Sequence, residues 1–102
     1  MEYNKLVRDR IPEIIKQNGE AAETYIADDV EFKERLIAKL HEEVQEFIEE
    51  PSGEEAADII EVLRAYCEIL GVRPEELEHI RANKAALRGG FSKKLILTRT
   101  NP

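Results

Sequence analysis

Residues 29 to 70, DVEFKERLIAKLHEEVQEFIEEPSGEEAADIIEVLRAYCEIL, decide the fold of this chain. From about 29 to 50 the apolar residues Phe32, Leu36, Ile37, Leu40, Val44, Phe47 and Ile48 recur at the 3.6-residue period, behind Asp28-Asp29 as an N-cap. Pro51-Ser52-Gly53 then breaks the pattern, and Ser52 with Glu55 reads as a capping box opening a helix over roughly 53 to 70 that ends at Gly71. The spacing predicts two antiparallel helices folded back at that turn. Two acidic pairs, Glu43 with Glu46 and Glu55 with Asp58, flank the turn symmetrically: 46 and 55, like 43 and 58, are equidistant from its centre. Four carboxylates would then converge, an arrangement that is costly unless cations fill it.

At about 100° per residue, Glu43 falls inside the apolar arc of the first of these helices, between Phe32 and Leu36, and Glu46 lies on its edge. On the second, Glu55 falls beside Val62 and Tyr66, inside an arc that includes Ile59, Leu63 and Leu70, and Asp58 is again on the edge. Each helix thus offers one inward and one rim carboxylate. An unpaired buried carboxylate costs several kcal/mol, yet neither arc contains a cation, with Lys39 only near the edge of one. Oxygen donors of this kind suit Mg2+, with Mn2+ as the alternative. The plainer readings are solvated surface acids and, for Glu55, the capping-box role.

Outward from this core, RDRIPEIIKQ at 8 to 17 carries Ile11, Ile14 and Ile15 at helical spacing, with Pro12 in the first turn and Asn18-Gly19 as a stop. Residues 21 to 27 hold the β-formers Thr24, Tyr25 and Ile26, and Leu95 to Leu97 form a short strand or docking arm that could pair with 22 to 26. Pro74 opens a further helix over 74 to 88, striped by Leu77, Ile80 and Leu87 and stopped by Gly89-Gly90. The expected architecture is all-α, a small four-helix bundle with an antiparallel acidic hairpin and a minor β element, in one domain over 1 to 102.

Composition narrows the partners. With 102 residues, 42% hydrophobic and 36% charged, the core is thin and oligomerisation is a natural supplement. A net charge of -7 and a pI near 4.9 argue against nucleic-acid or anionic-membrane binding. Cys67 is the only cysteine and lies among apolar positions, which fits a reducing cytoplasm and gives no support to nucleophilic catalysis. The N-terminus lacks the apolar core of a signal peptide, and no run approaches transmembrane length, so a cytoplasmic location is expected. Cations gather elsewhere: Lys84 on the stripe of the last helix, Lys5, Arg8 and Arg10 before the first, and Arg88, Lys93 and Lys94 beside Gly89-Gly90. Basic groups beside glycines suit phosphate oxygens; solvated charges, and a snorkelling Lys84, are the plainer readings.

KLHEEVQEF (39 to 47) followed by EEAADIIEVL (54 to 63) resembles the EExxE and ExxD motifs of MazG-like nucleotide pyrophosphohydrolases, in the all-α NTP pyrophosphatase superfamily. YNKLVRDRIPEII (3 to 15) and NKAALRGGF (83 to 91) resemble its phosphoribosyl-ATP pyrophosphohydrolase-like branch, so the likeness covers nearly the whole chain. The resemblance implies Mg2+ ligation by Glu43, Glu46, Glu55 and Asp58, and hydrolysis of a nucleoside triphosphate between the α and β phosphates to a monophosphate and pyrophosphate. Phosphoribosyl-ATP is the alternative substrate. It also implies Lys84 and Arg88 as phosphate-binding residues and, by analogy, a homodimer or homotetramer; on physical grounds Lys5 is a further candidate to steady the phosphates. Glu43 serves catalysis as a ligand, and Glu42, about 100° around the helix, would orient a water, an exposed acid being its other reading. Eight residues separate Glu46 from Glu55, fewer than usual in MazG proper, which shortens the hairpin and preserves its register. The rivals are a non-catalytic acidic binding module and a di-iron carboxylate bundle. The latter has one Glu-x-x-His pair, Glu76 and His79, where two are needed.

Overall fold

The computed structural model describes residues 4–102, so that Met1, Glu2 and Tyr3, the last of which opens the N-terminal motif, lie outside the described residues. Four helices follow in order: α1 (Ile11–Gln17), α2 (Asp29–Glu49), α3 (Gly53–Ile69) and α4 (Pro74–Arg88). Local chemistry sets their ends. Asp28 caps α2 by accepting the Glu31 amide at 2.8 Å, and Ser52 caps α3 by accepting the Glu55 amide at 3.1 Å. Pro51 blocks continuation of α2. Pro74 stands in the first turn of α4, where its missing N–H costs nothing.

Two C-termini close alike. Gly19 and Gly71 take positive φ of 87° and 78°. At the first, Gly19 and Glu20 donate to the Lys16 and Ile15 carbonyls; at the second, Gly71 and Val72 donate to those of Glu68 and Cys67. Each is the paired bonding of a Schellman motif, which needs a left-handed residue. The first helix is shorter than the spacing predicts, because Arg8 to Arg10 form a turn with Ile11 N donating to Arg8 O before Pro12 permits helix.

The expected β element does not form. No strand occurs among the described residues, and Tyr25, Ile26 and Leu95 to Leu97 are in irregular segments, 69% to 98% exposed. β propensity is realised by packing against a neighbouring strand, and the two segments do not supply one to each other.

Packing is concentrated between α2 and α3, with a smaller contact between α3 and α4. Leu36 and Val62 are the only buried apolar side chains among the described residues. The radius of gyration is 18.3 Å, against about 13 Å for a compact chain of this length. No helix among the described residues is long and apolar enough to cross a membrane.

Candidate metal centre

α2 presents Glu43 on the face that meets α3, and burial follows: it is 6% exposed, comparable to Leu36 and Val62 at 3% and 9%. Ser52 sets the first turn of α3 so that Glu55 and Asp58, one turn apart, face the same volume. Oxygens of Glu43, Glu55 and Asp58 lie within 4.8 Å of one another. Glu43 Oε2 and Glu55 Oε2 are both buried with no hydrogen-bond partner among the described residues. The capping box is therefore only half used: the Ser52 hydroxyl accepts the Glu55 amide, while the Glu55 carboxylate keeps an oxygen for the cluster.

Burial pushes the Glu43 carboxyl above its usual range, and the charge of Glu46, with a lesser push from Asp58, adds to the shift against the opposing pull of Lys39. Lys39 is the near compensation, its Nζ 3.6 Å from Glu43 Oε1 and largely shielded from solvent. Its position at the arc edge and its i,i+4 spacing foreshadow this pairing, although the wheel puts it outside the arc. Glu46 is exposed and stands outside the three-residue group, acting on Glu43 through its charge.

A second cation comes from a distance. Arg8 Nη2 donates to Asp58 Oδ1 at 2.6 Å. The segment carrying it is fastened to α2 at two further points, Arg35 Nη1 donating to Asn4 O at 2.7 Å and Lys5 Nζ lying 3.8 Å from Glu42 Oε1. Arg35 is itself held by Glu31, which also accepts from the Tyr25 hydroxyl at 2.6 Å. The sequence carries no local sign of the Arg8–Asp58 pair, because its partners are fifty residues apart.

Lys84 and Arg88 are exposed on α4, and no ion pair joins either to the acidic cluster among the described residues. Glu76 pairs with Arg73 at 3.7 Å, His79 is exposed, and the clustered acids are Glu43, Glu55 and Asp58. Two shallow concavities border Pro12, Lys16 and Gly19 on one side and Val30, Phe32, Ile37 and Ile69 on another, so neither adjoins the carboxylates.

The donors fit a hard divalent cation. Opposite ligands of Mg2+ stand about 4.2 Å apart for metal–oxygen distances near 2.1 Å, within small side-chain adjustments of the 4.8 Å envelope. The two orphaned oxygens are what such an ion would satisfy. Comparison with known proteins adds no relative: no family model, curated protein or solved structure matches the chain.

Proposed function

We propose that this chain is a MazG-like, magnesium-dependent nucleotide pyrophosphohydrolase that cleaves a nucleoside triphosphate between the α and β phosphates, phosphoribosyl-ATP being the alternative substrate. One observation carries the reading: Glu43 and Glu55 each keep a buried, unpartnered carboxylate oxygen beside Asp58, with Lys39 and Arg8 as the cations at hand. A surface acid would be solvated. A binding module meeting a basic partner has no use for an acid buried as deeply as the core.

Glu43, Glu55 and Asp58 would hold Mg2+, or Mn2+, with Glu46 at the rim of an acidic helical hairpin. Bound there, the ion supplies charge neutralisation at the phosphates and a water of lowered pKa. Glu42, half-buried and paired with Lys5, would orient that water. Lys5, Lys84 and Arg88 would hold phosphate oxygens, the last two from α4 once a complete bundle is assembled. With a net charge of -7 the protein repels a bare triphosphate, so its magnesium complex is the productive form. The bundle and the nucleotide pocket would be completed by a second copy in a homodimer or homotetramer.

A screen of dNTPs, NTPs and phosphoribosyl-ATP with Mg2+ or Mn2+ tests the reaction. Pyrophosphate is the expected product, and orthophosphate alone would reject the cleavage position. Glu43→Gln and Asp58→Asn test the site separately. Unchanged metal affinity in both would rule it out.

A further inference from the structure

We propose that Arg8 is a phosphate-binding residue that exchanges partners, leaving Asp58 when a divalent cation takes that carboxylate and passing to the phosphate chain that arrives with it. This inference rests on the metal reading above and gives a role to Arg8, a residue of the N-terminal segment to which the resemblance assigns none. Glu43 supports the site independently of the mere acidity of the cluster, since its side chain retains only 9% of its exposure and Oε2 has no partner.

Arg8 approaches Asp58 Oδ1 through one nitrogen at 2.6 Å, and its side chain remains 55% exposed. A guanidinium has five N–H donors in a planar fork, and with the side chain 55% exposed the fork is open to a second anion. A divalent ion on the same carboxylate would compete for its lone pairs and repel the guanidinium. Phosphate oxygens offer the planar fork a second anion at the same mouth, and they favour bidentate recognition by arginine over lysine.

The geometry allows the exchange without loss of the segment. Residues 4 and 5 are anchored on α2 by Arg35 and Glu42, so releasing Asp58 leaves Arg8 tethered beside the site. Lys39 cannot serve as an equivalent, being paired with Glu43 within its own helix and only 19% exposed. Arg8 is thus an exposed cation paired directly with the cluster, through Asp58.

The test uses the full chain and the variants Arg8→Gln and Arg8→Lys. Mn2+ affinity is measured by titration calorimetry or electron paramagnetic resonance without nucleotide, and then the affinity for inorganic tripolyphosphate as its Mg2+ complex. Removing a competing exposed cation should tighten Mn2+ binding roughly two- to fivefold in Arg8→Gln. The same variant should weaken tripolyphosphate about tenfold or more, with Arg8→Lys between. A mere structural tether gives neither change. Wild type that binds Mn2+ no more weakly than Arg8→Gln, or binds tripolyphosphate no better, overturns the exchange and leaves the metal site standing. Wild type that binds no Mn2+ overturns both.

Discussion

Glu43 shows how a single residue can be set against the stability of its own fold. Its carboxyl is held above the usual range first by burial and then by Glu46, with Lys39 pulling the other way. The sign of the linkage follows from that direction. A folded-state pKa above the unfolded value means that the native state binds the proton more tightly, so its penalty is absent at low pH. The penalty grows as pH rises through the ordinary carboxylate range and is complete above the raised value. In chelator-treated buffer near neutrality, Glu43→Gln should therefore stabilise the fold by about 1 kcal/mol. That corresponds to roughly 4–8 °C in Tm for a domain of this size, and the gain should vanish at acid pH. Thermal melts across pH check it. The same variant should lose divalent-cation affinity, and wild-type affinity should fall as pH drops through the raised range because the ligand must be ionised. A variant no more stable than wild type at neutral pH would mean that Lys39 already compensates the charge.

At the scale of elements, α3 supplies two of the three clustered carboxylates, and one hydroxyl fixes the turn from which they project. Ser52→Ala removes the acceptor of the Glu55 amide and Asp28→Ala removes that of the Glu31 amide; each should cost about 1 kcal/mol by denaturant melts. Only Ser52→Ala should also weaken Mn2+ binding, by several-fold, since fraying at Gly53 to Glu55 displaces a ligand whereas fraying at residue 29 lies far from Glu43 along α2. Equal metal affinity in the two variants would separate the cap from the site. The caps explain why so much of the helical order is legible in the sequence: Asp28, Pro51, Ser52, Gly71, Pro74 and Gly89 act within one turn of the ends they set. The inward placement of Glu43 is legible for the same reason, since a 3.6-residue period is a local property. The Arg8–Asp58 pair and the unpaired state of residues 22 to 26 and 95 to 97 depend on chain segments far apart, and no local periodicity encodes them.

The whole molecule exposes more surface than its mass requires. A compact chain of 11.7 kDa has about 5,900 Å² of accessible surface; this one has 9505 Å². The excess is several times the roughly 800 Å² per partner of a standard protein interface. It includes ordered apolar rows: Val30, Ile37, Val44 and Ile48 on α2, Ile60 and Leu63 on α3 with Leu70 at its C-cap, and Phe91 with Leu95 to Leu97 in the tail are all exposed. Along α3 and its C-cap the positions 60, 63, 67 and 70 repeat at alternating intervals of three and four, the spacing with which one helix seats against another. With two buried apolar side chains among the described residues, the proposed assembly would stabilise the fold as well as complete the site. Light scattering should give a mass at least twice 11.7 kDa, and Tm should rise with protein concentration, as it does when folding and association are linked. Ile60→Glu discriminates sharply. At 52% exposure in the single chain, a solvated position would change stability by no more than about 0.5 kcal/mol. At a buried seam the introduced carboxylate should cost more than about 2 kcal/mol and shift the mass toward monomer. A concentration-independent Tm together with a neutral Ile60→Glu would leave the exposed rows without a partner of the same sequence.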